Sequence, residues 1–439
     1  MFRMMRLEAK RSIALPLFLV LAALTRVFLW MDIQQWAASW TPLLYSMRGT
    51  AWIALPVALA AGIWHGGRER RSEVSELFAA TPLPRPVRLL PALLVIVGAA
   101  AVAETAVTVW AGALVSRYAT YSDGGWQLGL TVGLLAAVAV TLLGLGVGRA
   151  ASTPVAAPLG GVLLFLLLTV SQIRDGRPAN RLVDTVIPML PVTDDFHRVL
   201  PSLSAAQGVW FAALGATGIL LAVAASTRAR VLALTPALAG VALGALLAPS
   251  GAIVPDPQAT ALVCAPGNSR ICVTKVHTGA LPGLVAPARK VLAAFAKVPG
   301  GPTRVEEEGV SWMFDDGKPA AGANDLGTVR VQLPYRTQEG AIRWAPAAVL
   351  DVVARSATVD GDCFPGEQEW SRASDASDAM TTLLLGTPTD ELSPVARKAY
   401  DTLRALPAKE RYRRIGDGRK AGLTCGDPLA VIMAQGAGR

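Results

Sequence analysis

The chain has 439 residues, a formal net charge of +9, 52% hydrophobic residues and a mean hydropathy of +0.43. Only 17% of its residues are charged, against about 25% in average soluble domains, which excludes an ordinary soluble domain and points to apolar helices in lipid. Residues 1–249 carry 19 Lys+Arg against 11 Asp+Glu, and residues 250–439 carry 22 against 21. The positive charge therefore sits on the flanks of apolar runs, as in membrane proteins. No stretch interleaves basic and aromatic residues as a nucleic-acid face does, so no nucleic-acid partner is expected.

Residues 1–12 place Arg3, Arg6, Lys10 and Arg11 beside Met4, Met5 and Leu7, the pattern of a short interfacial helix. Seven apolar runs follow, at 13–31, 51–66, 89–115, 128–147, 159–173, 209–225 and 231–248. The first is too long for a signal-peptide core; Arg26 near its end snorkels to the surface. The second can extend back to Tyr45, with Arg48 at its mouth. A span needs about 20 apolar residues, so the second, fifth and sixth runs are short. With the N-terminus inside, Arg68, Arg70, Arg71, Arg85 and Arg88, then Arg149, then Arg228 and Arg230 fall on the cytoplasmic side. Seven spans put residues 250–439 outside. In the loop 174–208, four arginines are offset by Asp175, Asp184, Asp194 and Asp195, and 183–190 and 196–203 read as two short helices broken by Pro188, Pro191 and Pro201.

All four cysteines, Cys264, Cys272, Cys363 and Cys425, follow residue 250. An even number in one polar domain suggests two disulfides in an oxidising space; the alternative, zinc, usually takes close Cys pairs, and there is no Cys-x-x-Cys. Segments 260–264 and 270–276 read as strands joined by turn residues, which a Cys264–Cys272 bridge would clip. Helices are expected at 284–297, 345–355, 375–385 and 394–406, and strands at 304–314 and 328–333, the latter alternating Val329, Val331 and Leu333. A Cys363–Cys425 bridge would tie down the C-terminal end. The expected fold is thus an α-helical polytopic membrane domain, 1–249, of about seven spans, followed by a disulfide-containing α+β extracytoplasmic domain, 250–439.

Between the second and third runs lies Arg68-Glu-Arg-Arg-Ser-Glu-Val-Ser-Glu-Leu-Phe-Ala-Ala-Thr-Pro-Leu-Pro-Arg-Pro-Val-Arg88. Ser72 can cap a short helix with Glu73 and Glu76 in its first turns, and Pro82 and Pro84 end it. Glu76-Leu77 followed by Thr81-Pro82-Leu83 and a basic residue resembles the coupling-helix segment of exporter-type (type-2) ABC transporter permeases. The resemblance covers about twenty residues and the layout of the first 230. It implies a segment, carried here by Arg71, Glu73, Glu76, Leu77, Phe78, Thr81, Pro82 and Arg85, that docks on a separate ABC ATPase subunit. ATP and Mg belong to that subunit, and this chain carries no cofactor. It further implies a homodimer or heterodimer of permeases in the lipid bilayer of a bacterial plasma membrane, exporting a hydrophobic or amphipathic cargo such as a lipid or peptide. In that family a helical hairpin before the last core span dips toward the membrane from outside, the place the loop 174–208 takes here. The seventh run and the C-terminal domain depart from the six-span pattern; the spacing Leu-Val-Cys, Ile-Cys-Val and His277 is similar to extracytoplasmic domains on actinobacterial permease-like proteins.

No Gly-x-x-x-x-Gly-Lys-Ser/Thr, His-Glu-x-x-His or Gly-x-Ser-x-Gly motif occurs. An enzyme is not expected, and no metal site. His277 reads as a structural histidine rather than a catalytic one. Glu306-Glu307-Glu308 with Asp315-Asp316 reads as a solvated strand edge before a cation site. Glu104 lies inside the third run, where an acid either lines a transport path or bonds to a neighbouring helix. The alternative function is a non-transporting membrane sensor or binding protein acting through its extracytoplasmic domain.

Overall fold

The computed structural model describes residues 8–72, 85–151, 153–172, 180–190, 194–251, 253–310, 322, 325–333, 337–338, 341–342 and 346–434. The chain divides into two compact units, Met1–Asp256 and Pro257–Arg439. Most of the described chain is helical, with small sheets and two disulfides.

The first unit is built from α1 (Ala14–Met31), α2 (Trp40–Gly49), α3 (Ala51–Gly66), α4 (Arg85–Val115), α5 (Trp126–Ala150), α6 (Ala156–Gln172), α7 (Arg181–Val186), α8 (Pro201–Val223) and α9 (Thr235–Leu247). Five helical stretches, Ala14–Met31, Leu89–Val115, Trp126–Ala150, Pro201–Val223 and Thr227–Leu247, are long and apolar enough to cross a membrane. The α2–α3 pair, bent by 44° at Thr50, makes a sixth if it counts as one span. The expected fifth run forms α6, apolar but only 17 residues long, or about 25 Å at 1.5 Å per residue.

Helices α3 and α5 cross where glycine faces glycine. A Cβ added to Gly62 would lie 2.4 Å from the Thr141 carbonyl oxygen, and one added to Gly144 would lie 2.4 Å from that of Leu59. Gly62 and Gly66, like Gly144 and Gly148, are four residues apart and so share a helix face. Removing the side chains there lets the two backbones touch, the device by which helices associate where no hydrophobic drive exists between them.

The two ends of the unit differ in chemistry. At one end Trp40 stacks on Trp126 with centroids 3.9 Å apart, Trp36 meets Trp110 edge-on, and the Arg26 guanidinium sits 4.3 Å over Trp110. At the other end, Arg68 pairs with Glu8 at 2.5 Å and Arg149 with Glu69 at 2.9 Å. An amphipathic aromatic belt facing a charged belt is how helices are fixed in a bilayer.

The segment 196–203 is not the helix expected from its apolar run. It forms β1 (His197–Val199), antiparallel to β2 (Ile253–Pro255), and α8 begins at Pro201. Proline favours the first helical turn because its missing N–H has no partner there in any case. Tyr121 fastens the ribbon from a third segment, donating its hydroxyl to Asp256 at 2.6 Å. Burial, then the Asp256 carboxylate, push the Tyr121 phenol up.

The second unit holds a four-stranded sheet of order β3 (Leu262–Ala265), β4 (Asn268–Thr274), β5 (Arg304–Glu307), β6 (Thr328–Val331). β3–β4 is an antiparallel hairpin, and β4–β5 and β5–β6 are parallel. Parallel neighbours need a crossover, and α10 (Leu281–Phe295) supplies the first. Its Leu284, Ala288, Val291 and Phe295 recur at helical spacing and are buried with Ile271, Val273, Val305, Val329 and Val331. Helices α11 (Pro346–Ser356), α12 (Glu367–Leu385), α13 (Pro394–Arg404), α14 (Ala408–Leu423) and α15 (Pro428–Met433) complete the core. The expected strand at 304–314 stops at Glu307; residues 311–314 lie outside the described residues. The basic stretch near the C-terminus is a full helix, α14. Its Arg419 donates to the carbonyls of Ala357 (2.6 Å), Gly300 (2.9 Å) and Leu326 (2.7 Å). Burial brings that guanidinium down to about 10.

Candidate functional site

Arg48 lies two residues before the break at Thr50 and is 2% exposed. Its Nε donates to the Pro188 carbonyl at 2.6 Å, Nη1 to the Gly129 carbonyl at 3.0 Å, and Nη2 to Gln207 Oε1 at 2.5 Å. Gln207, buried on α8, donates in turn through Nε2 to the carbonyls of Asp184 (2.7 Å) and Ile187 (2.9 Å). One arginine thereby joins α2, α5, α8 and the segment after α7. The backbone is extended at Ile187, and the carbonyls after the α7 helix end need outside donors. Among the described residues no carboxylate stands within ion-pair distance of Arg48. Its charge is met by carbonyl and amide dipoles, which limits the cost of burying it.

Beside Arg48 is a cavity of about 30 Å³, lined among others by Thr50, Glu104, Thr108 and Pro188. That is room for about one water. Glu104 comes from α4, where Thr108 donates its hydroxyl to the Glu104 carbonyl at 2.8 Å. The buried Thr25 hydroxyl of α1 is a neighbour of the Glu104 carboxyl. The apolar unit thus encloses a polar point with a guanidinium on one wall and a carboxyl on another. Ionisable groups at such depth usually face a pathway or a binding site.

At the charged end, the start of the 68–88 segment is well fixed. Arg71 donates to the Trp64 carbonyl at 2.5 Å, and its guanidinium lies 4.1 Å over the Trp64 ring. Buried His65 stands 3.7 Å from Glu8 Oε1. Arg85 opens α4. Glu73, Glu76, Leu77, Phe78, Thr81 and Pro82 lie outside the described residues.

In the second unit Cys264 bonds Cys272 and Cys363 bonds Cys425. Strand alternation separates the acidic trio. Glu306 pairs outward with Arg304 at 2.8 Å, Glu308 accepts from Gln332 at 2.9 Å, and Glu307 turns to the core face. There Glu307 accepts from the Thr274 amide and hydroxyl, both at 2.7 Å, and pairs with His277 Nδ1. His277 is buried in this knot. Asp315 and Asp316 lie outside the described residues, and among those described no group of three His, Cys, Asp or Glu is placed to hold a metal ion.

The structure brings Glu104 to the Arg48 cavity and sets Arg71 against the Trp64 ring at the charged end. Arg48 was legible only as a charge at the mouth of a span. Gln207 was missed, although an amide next to the apolar run starting at Val209 was a signal. Comparison with known proteins returned no matching family model, no matching curated protein and no matching solved structure.

Proposed function

We propose that this chain is the membrane subunit of an ABC exporter. The observation that carries the reading is the polar cavity of Arg48 and Glu104 inside an otherwise apolar helical unit, where a path for an amphipathic cargo needs polar points. The resemblance of segment 68–88 to a coupling helix adds the ATPase partner, which would hold ATP and Mg. In this reading the bent α2–α3 pair is one span and α6 a short one, giving seven. The N-terminus and the charged belt face the cytoplasm of a bacterial plasma membrane, and the second unit lies outside, where its disulfides are stable. Two permeases and two ATPase subunits make the working assembly, and the cargo is a lipid or a hydrophobic peptide.

The test is affinity capture of the detergent-solubilised chain from its native membrane, wild type beside Glu76→Arg and Leu77→Asp. Wild type should retain an ABC ATPase subunit, and both variants should lose it while keeping the same melting profile. No ATPase with the wild type, or equal capture by the variants, overturns the proposal.

A further inference from the structure

Among the described residues strand β6 lies at one edge of its sheet, and its two faces have opposite characters. Val329 and Val331 are fully buried in the core, while Thr328, Arg330 and Gln332 alternate to the other side. Those three side chains form one wall of a cleft of about 220 Å³. The opposite wall is the C-terminal end of α11, with Arg355 and Ser356, and the turn 359–362; Trp370 from the first turn of α12 closes one side. At about 30 Å³ of liquid per water, the cleft has room for roughly seven waters.

The walls are held in place without a ligand. Asp360 Oδ1 accepts from the Asp362 amide at 3.1 Å and its Oδ2 from the Gly322 amide at 3.0 Å, while its own amide donates to the Gly422 carbonyl at 3.1 Å. The Cys363–Cys425 bridge anchors the turn one residue further on. On the β6 wall Gln332 donates to Glu308, and on the α11 wall Arg355 is fixed by Asp378 at 3.1 Å. A site whose polar groups are already positioned loses little entropy on binding.

Charge selects the ligand class. Among the described lining residues three are carboxylates (Glu308, Asp360, Asp362) and two are guanidiniums (Arg330, Arg355). Arg355 is already paired with Asp378, so the excess is negative, which disfavours a phosphate and suits groups that donate hydrogen bonds, as hydroxyls do. Among the described lining residues only Val359 and Leu423 are aliphatic, so these walls offer little to an acyl chain. Trp370 is 39% exposed, and its ring edge lies against Gly361, where an added Cβ would stand 3.7 Å from Cζ3. An indole offers an apolar face beside polar neighbours. Guanidinium and amide groups donate, and carboxylates accept. A neutral ligand with many hydroxyls and one C–H face matches this set.

We propose that the cleft between β6 and the Gly361–Trp370 wall binds a neutral saccharide, with Trp370 stacking on a sugar ring and Arg330, Gln332 and Glu308 reading its hydroxyls. The proposal stands independently of any transport role. It is tested on the full chain in an amine-oxide detergent, which has no sugar headgroup, by titration calorimetry with cellobiose, trehalose and diacetylchitobiose beside inorganic phosphate. At least one of the disaccharides should bind saturably. Trp370→Ala should weaken that binding by about tenfold or more, and Gly361→Val, which narrows the cleft without entering the core, should weaken it as well; both should melt with the wild type. Absence of binding by all three disaccharides, binding unaltered in both variants, or displacement of the sugar by inorganic phosphate overturns the proposal.

Discussion

The bond between Arg48 and Gln207 gives the sharpest quantitative test of the buried polar site. Replacing Arg48 by Met deletes three hydrogen bonds but also removes a buried charge, and these effects oppose each other. The single variant is therefore uninformative about the link. A double-mutant cycle with Gln207→Leu isolates it. The two bonds from Gln207 to the Asp184 and Ile187 carbonyls are lost in both backgrounds and cancel. What remains is the 2.5 Å bond from Nη2 to Oε1. A hydrogen bond from a charged donor is worth about 1.5–3 kcal/mol, so the coupling energy should fall in that range. The assay is unfolding in mixed micelles by added sodium dodecyl sulfate, followed by tryptophan emission and fitted for all four proteins. Additivity within about 0.5 kcal/mol would refute the reasoning, because it would mean the arginine and the amide do not share a bond.

Gly144→Val should destabilise the first unit by about 3 kcal/mol, the upper end for overpacking, because the new side chain meets the Leu59 carbonyl; Gly49→Ala, with nothing within 4 Å of the added carbon, should leave micellar unfolding unchanged. The two disulfides should differ in worth. Replacing Cys363 and Cys425 by Ser, separated by 62 residues, should cost about 4 kcal/mol in the chain-entropy model, against about 2.5 kcal/mol for Cys264 and Cys272, separated by 8, and calorimetric melting ranks them. The Gly327 amide (2.8 Å) and the Thr328 hydroxyl (3.0 Å) donate to Asp325 and hold its carboxyl below the usual range. Such a group contributes stability above its unfolded pKa and loses it as pH falls through the folded one. Asp325→Asn should therefore lower the melting temperature at pH 7, and the gap should close on acidification below about pH 4; a gap that persists or widens in acid contradicts the assignment.

Most apolar helices were legible in the sequence, because the amount of lipid-like surface on a helix is a local property of its residues. The bend at Thr50 was not, since hydropathy reports composition and carries no direction. The segment 196–203 was misread for a related reason. A short apolar run fits a strand or a helix equally, and the partner that decides it, Ile253–Pro255, lies more than fifty residues away. The Cys264–Cys272 pair was readable as a bridge across a hairpin, its turn visible in Pro266-Gly267-Asn268-Ser269. Arg48 was opaque because two of its partners are main-chain oxygens, which every residue has, and the third is an amide 159 positions distant.

The glycine crossing of α3 with α5 also has a mechanical side. A lever needs a stiff arm and a fulcrum. Backbones in direct contact cannot slide past one another by side-chain rotation, so α3 and α5 behave as one thick rod. The rod begins at the Thr50 break, beside Arg48, and runs to Gly66, next to Arg68. Its 16 residues of helix span about 24 Å. Force applied at the arginines of the charged belt would thus be delivered, with little lost to bending, at the cavity of Arg48 and Glu104.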